Sequence, residues 1–288
     1  MSKSEQSNIS IDDLLAGDLK LASPPEIFIA IDSILNDKTK TTRDAGMVIE
    51  HDPGLAARLL KIVNSALYGL PARIVSIPHA VTMLGARELR YLVMATVVIE
   101  RFSAFPGGLL SMREFWSHSV RGALFAKAMA SREAPDLDVD AIFACALLHE
   151  IGRLVFYLKI PDLARQAALL AAAQGGDECL QQKQILGFDH YQTGAELVRR
   201  WNFPEIIAAT MEHHQDPGRA KEYERETTIV AIASRLSSLA IAKDDKTAEP
   251  HRQWLAQIEA VPPDLIIESI TEEVEAQLEA TFRAIFPA

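Results

Sequence analysis

Apolar residues recur at intervals of three and four along nearly all of this 288-residue chain, and no stretch alternates polar and apolar as a half-buried strand does. A chain patterned this way buries its stripes by packing helix on helix. The strongest start signal is Asp52-Pro53, where the aspartate can cap free N–H groups and the proline fits the first helical position. The helix it opens puts Leu55, Leu59, Ile62, Val63 and Ala66 on one stripe and is expected to end at Tyr68-Gly69. Ahead of it lie a short amphipathic piece over 9–21, closed by Ser23-Pro24-Pro25, and a stripe of Ile27, Ile31, Ile34 and Leu35. Thr42 is the expected cap of a helix carrying Ala45, Val48 and Ile49. Pro78 opens a segment that closes near Leu84-Gly85, and the very apolar helix over 86–102 must be buried nearly all round. Pro106-Gly107-Gly108 is the expected boundary between two halves.

The second half reads the same way. A helix over 111–132 carries Trp116 and His118, and Asp138 or Asp140 starts one that continues to Gly152. An alanine-rich helix runs from Pro161 to Gly175-Gly176. Asp189 and Gln192 form a capping box for a helix bearing His190, Gly194, Leu197, Val198 and Trp201. Pro204 opens the helix of His213 and His214, which breaks at Asp216-Pro217-Gly218, and 227–242 is again amphipathic. After Pro262-Pro263 comes a stripe of Ile267, Ile270, Val274, Leu278, Phe282 and Ile285. It is expected to fold back on its own domain, with a dimer or partner contact as the alternative, leaving Glu272, Glu273, Glu275 and Glu279 in water. The fold class is all-α.

A net charge of −10 disfavours nonspecific nucleic-acid binding by the whole chain. Residues 43–132 nevertheless hold eleven Lys/Arg against six Asp/Glu. Either different helices simply have different solvated faces, or this stretch forms a basic groove for an acidic partner, nucleotide or RNA. Cys145 and Cys179 lack framework spacing and read as reduced thiols. The amino terminus lacks the apolar core of a signal peptide, and the run over 91–99 is too short to span a bilayer. A soluble, cytoplasmic protein with no membrane partner is expected. Asn64 and Ser65 should anchor neighbouring backbone, and Trp116 and Trp201 should be core.

Six of the eight histidines are His118, His149, His190, His213, His214 and His251, and Glu150 directly follows His149. A histidine, then a His–acid pair about thirty residues later, then further histidines, is how helical metallohydrolases gather ligands from several helices. A closing aspartate is expected on one more helix, and that helix offers Ser234. His51, His79 and His251 fall outside this constellation.

The residues resemble the HDOD domain, the HD-related output domain of bacterial signalling. The resemblance rests on Asp52-Pro53-Gly54-Leu55, Arg58-Leu59-Leu60, Asn64-Ser65-Ala66 and Tyr68-Gly69, then on Ile77, Ala80 and Leu84-Gly85. It continues through Trp116-Ser117-His118-Ser119, Leu147 to Gly152, Leu186 to His190, Gly194, Trp201, Pro204 and His213-His214. It implies a two-lobed HDOD fold over 18–242, with lobes over 18–105 and 111–242, the second similar to HD-type phosphohydrolases. Residues 1–17 are then a tail with a short helix, and 243–288 a helical extension. In HD enzymes a histidine, a His-Asp pair and a distal Asp hold a cation that activates water against a phosphoester. Carried over, these positions are His118, His149-Glu150 and Ser234. Glu for Asp keeps the charge and adds a methylene. Serine for aspartate removes a charge that a hard cation prefers, which matters more.

The expectation is therefore a non-catalytic signalling domain with a degenerate metal site, acting through a protein partner or a small ligand. No cofactor is expected. The alternatives are a phosphohydrolase with a remodelled ligand set, holding manganese, iron or magnesium with help from His190, His213 and His214, or a nucleotide sensor. The run after His214 lacks the Gly-Tyr-Pro of the related cyclic-dinucleotide phosphodiesterases, which argues against that activity. The resemblance gives no reason to expect sequence-specific nucleic-acid binding.

Overall fold

The computed structural model describes residues 9–16, 24–103, 111–174, 177–262 and 264–286. Residues 17–23, with Ser23 and the tail of the first amphipathic piece, lie outside the described residues. So do Pro106-Gly107-Gly108, Gly175-Gly176 and Pro263. All regular structure among the described residues is helical.

The first half holds α1 (Ile11–Leu15), α2 (Glu26–Asn36), α3 (Thr42–Glu50), α4 (Pro53–Val63) and α5 (Ile77–Ser103). Asp52 caps α4 as expected, its side chain accepting from Leu55 N. The cap of α3 is Thr41 rather than Thr42, because the acid three residues on, Asp44, completes a reciprocal box only with Thr41. Helix α4 stops at Val63, short of Tyr68-Gly69. There the Asn64 amide leaves the helix and clasps Ile74, donating to its carbonyl and accepting from its N–H, each at 2.7 Å. Ser65 Oγ donates to Ile62 O at 2.6 Å, so both residues anchor backbone. Gly85, at φ 80°, breaks α5 internally where Leu84-Gly85 was expected to end a helix.

The second half holds α6 (Met112–Glu133), α7 (Val139–Leu148), α8 (Ile151–Lys159), α9 (Pro161–Gln174), α10 (Glu178–Leu186), α11 (His190–Arg200) and α12 (Glu205–His213). Two short 3-10 turns follow, then α13 (Glu224–Ile241), α14 (Asp245–Leu255) and α15 (Asp264–Ile285). The helix expected from Asp138 to Gly152 is two, divided at His149-Glu150. Val139–Lys159 is apolar and long enough to cross a membrane, but 89% of its most apolar window is buried within the fold. One continuous apolar core runs from Leu15 to Ile285 and includes Trp116 and Trp201.

The terminal helix α15 covers α6 and α4. Ile270, Val274, Phe282 and Ile285 are buried there, so the stripe finds its surface within the chain. Its acidic side stays exposed, as expected, and three of its glutamates also form surface ion pairs. Glu273, Glu275 and Glu279 meet Arg132, Arg121 and Arg113 of α6 at 2.6, 2.7 and 3.2 Å. Arg58, Arg87 and Arg90 likewise face Glu100, Asp138 and Asp32. Six of the eleven basic side chains of 43–132 thus pair with acids of the same chain, several of them distant in sequence.

Candidate functional site

The site forms where several helices of the second half converge, and a pair of glycines sets its spacing. A Cβ on Gly152 of α8 would lie 1.8 Å from the His190 carbonyl oxygen, and one on Gly194 of α11 would lie 2.4 Å from Met211 Sδ. Helices α8 and α11 therefore cross backbone against backbone. This contact brings Glu150, just ahead of α8, to His190, the first residue of α11, with Glu150 Oε2 3.6 Å from His190 Nε2.

His149 caps the end of α7 and Glu150 the start of α8, so the turn between the two helices presents both side chains to the same space. His118 reaches it from α6 and His214 from the end of α12. The ring centroids of His118 and His149 are 5.7 Å apart, and those of His149 and His214 are 5.0 Å apart. One ligand atom each from His118, His149 and Glu150 lie within 4.8 Å of one another. His213 does not join them, despite the expectation. Adjacent helical positions point about 100° apart, and among the described residues His213 is half-buried with no bond or ring contact to the cluster.

Hydrogen bonds assign the imidazole tautomers. His149 Nδ1 donates to Ala146 O at 2.7 Å, and His214 Nδ1 donates to Met211 O at 3.0 Å. Ser237 Oγ donates to His118 O at 3.0 Å and so accepts from His118 Nδ1 at 3.1 Å. His190 Nδ1 donates to Gln182 Oε1 at 2.8 Å. In His118, His149 and His214 Nδ1 carries the proton and Nε2 keeps its lone pair. Metal-binding histidines are held in the same way, with the far nitrogen fixed by a neighbouring acceptor.

Burial, with His149 beside it, pushes the His118 imidazole down to about 4. Burial likewise lowers His149 and His214, so these rings are neutral donors at pH 7. Burial acts to raise Glu150, but His190 and Arg153, joined by His149 once that ring is protonated, outweigh it and hold the carboxylate well below its usual range. Arg153 stands 3.8 Å from Glu150 and is itself tied to Glu178. Tyr191 donates to Glu150 Oε1 at 3.0 Å.

Ser234 stands where the spacing calls for an aspartate. Its hydroxyl lies 3.1 Å from His149 Nε2 and, that nitrogen being unprotonated, donates to it. His118, His149 and Glu150 together fit a divalent cation as two neutral nitrogens and one anion. The serine adds no charge, and its proton occupies the lone pair a cation would need. Among hard-cation sites this is a weak set.

Sequence reasoning missed Tyr191, Arg153, Gln182, Gln215, Arg235 and His251. Tyr191 and Arg153 stand one and three residues from recognised positions, which was a usable hint. Gln182 and His251 carry no signal of their own, because only tertiary packing brings them to the site.

The HDOD domain family matches residues 21–217. An uncharacterised Treponema pallidum protein is 26% identical over 216 residues, covering 73% of this chain and 40% of that protein, so the chain spans less than half of that relative. Among solved structures, a proposed phosphohydrolase of Shewanella amazonensis is 25% identical, with TM-score 0.74 over 91% of this chain and 94% of that one. An HDOD domain protein of unknown function from Geobacter sulfurreducens is 23% identical, with TM-score 0.72 over 92% and 93% of the two chains, a likeness of fold. The motifs, the helical architecture and the matched stretch agree: the chain belongs to the HDOD domain family.

Proposed function

We propose that this chain is a regulatory domain that does not turn substrate over, and that its histidine pocket is a degenerate hydrolase centre serving at most to hold a cation or small ligand. The observation that carries this reading is the Ser234–His149 hydrogen bond at 3.1 Å. A catalytic centre of this kind needs enough anionic ligands to retain its metal and lower the pKa of the bound water. Here one carboxylate, Glu150, is already shared among Tyr191, Arg153 and His190. His118, His149 and Glu150 would be the residues to hold a cation, which would supply Lewis acidity there. His190 and His214 line the same space without closing the set. The signal would leave through a protein partner.

Calorimetric titration with manganese tests the reading. The wild type should bind weakly, and Ser234→Asp should bind at least about tenfold more tightly by adding a charged ligand. Tight stoichiometric binding by the wild type, unaltered in Ser234→Asp, would favour a hydrolase with a remodelled ligand set.

A further inference from the structure

Beyond the family-matched stretch, α13 and α14 contribute side chains that reach the same pocket. A cleft of ≈380 Å³ above the histidines includes Arg235 and Ser238 of α13 and His251 of α14 in its wall. From this mouth a directed chain of hydrogen bonds runs inward. Arg235 Nη2 donates to Gln215 Oε1, Gln215 Nε2 donates to the Tyr191 hydroxyl at 3.0 Å, and that hydroxyl donates to Glu150 Oε1 at 3.0 Å. A permanent cation at one end and a buried carboxylate at the other polarise the two neutral links between them in one sense, and such chains strengthen cooperatively.

The outer end of the chain holds α14. The Arg235 guanidinium lies 5.2 Å from the Trp254 ring centroid, and Nη1 donates to His251 Nδ1 at 3.4 Å. The rest of its hold is modest: Ala248 is its one buried residue, Trp254 and Leu255 pack only partly buried against the core, and Pro250 interrupts its hydrogen bonding. An element with so few buried contacts opens at low cost. The Arg235 contacts, together with this partial packing, are what docks it.

We propose that α14 is a latch over the histidine pocket whose docking is coupled to Glu150 through Tyr191, Gln215 and Arg235, and that a divalent cation taken up at His118, His149 and Glu150 releases it. The second clause rests on the pocket being a cation site. Glu150 Oε1, which accepts from Tyr191, is also the oxygen 3.8 Å from His149 Nε2, on the side where a cation would sit. A cation there draws on that oxygen and weakens the Tyr191 bond. The chain loses its anionic end, and Arg235 is no longer held against Trp254 and His251. Coupling is reciprocal, so undocking α14 must raise cation affinity by the same factor.

Hydrogen exchange on the full chain tests this. Without added metal, Tyr191→Phe and Gln215→Leu should each make the amides of α14 exchange about fivefold faster or more, while those of α15 stay unchanged. A loss of packing alone would instead loosen α11 to α13 as well. Manganese should accelerate α14 exchange in the wild type, and Trp254→Ala should tighten manganese binding about fivefold or more. Unchanged α14 exchange in both variants overturns the latch. Manganese binding that leaves α14 exchange unaltered overturns its release by a cation. A wild type that binds no manganese, with both variants still loosening α14, overturns the cation reading and leaves the chain of bonds from Glu150 to α14 supported.

Discussion

Gly152→Ala separates a glycine demanded by packing from an ordinary helical one. The added methyl would sit 1.8 Å from the His190 carbonyl oxygen and 2.7 Å from Gly194 N, both of them backbone atoms. Neither can rotate away, so α8 and α11 must part by at least ~1.2 Å to restore a tolerable contact of 3.0 Å. Overpacking of this kind costs about 1–3 kcal/mol, and the absence of any flexible neighbour places it near the upper end. Alanine's better helix propensity returns at most about 1 kcal/mol. A net loss of about 2 kcal/mol corresponds to a fall in Tm of roughly 4–8 °C for a chain of this size. Gly122→Ala in α6 is the control, since its Cβ would meet only Ala233 O at 3.9 Å and Ser237 Cβ at 4.0 Å. It should be neutral or stabilising. Thermal melts followed by circular dichroism compare the two. A Gly152→Ala protein that melts at or above the wild type would show that the close crossing does not set the site's spacing.

Three further outcomes are expected. Reversing either charge of the Arg121–Glu275 pair should destabilise by about 1 kcal/mol, and Arg121→Glu combined with Glu275→Arg should recover most of it in denaturant titrations, because the pair docks α15 on a partly buried surface. Ending the chain before α15 removes, among its buried side chains, Ile270, Val274, Phe282 and Ile285 at about 1.5–3 kcal/mol each, comparable with the whole stability of a domain, so the truncated protein should lose cooperative unfolding. Burial, with Asp140 nearby, raises the Glu88 carboxyl to about 7 from an ordinary 4.5. The folded state therefore keeps a proton that the unfolded chain releases between these values, and this group's contribution falls as pH rises through the window. The three buried histidines, lowered in the fold, act in the opposite sense, with stability rising as pH climbs towards 6.5. Glu88→Gln isolates the first effect: its Tm relative to the wild type should grow more favourable from pH 5 to about pH 8, and a constant difference would contradict the assignment.

What the sequence disclosed followed from local rules. Asp52-Pro53, the Asp189–Gln192 box and the Gly85 break are nearest-neighbour chemistry, and each acts where it was read. Helices α10 and α14, and α8 beyond Gly152, were not read as separate elements, although 243–288 was expected to be helical. The first depends on an Asp177 cap and a left-handed Gly187, and the second has almost no apolar stripe to announce it. The histidine cluster was legible except for His213, because the His213-His214 pair alone does not reveal which member faces inward. Ser234 fell at its expected place opposite His149. The partners of α15 were hidden for a different reason: Arg113 and Glu279 are 166 residues apart, and a long-range ion pair leaves no local trace.

The central claim is that this histidine pocket no longer supports hydrolysis, and the most direct test is turnover. Purified wild type, loaded with manganese or iron, should release no phosphate from simple phosphomonoesters and no linear product from cyclic dinucleotides above the metal-only background. Turnover by the wild type that is abolished in His149→Ala would contradict the account, because it would show that His118, His149 and Glu150 suffice without an aspartate at position 234.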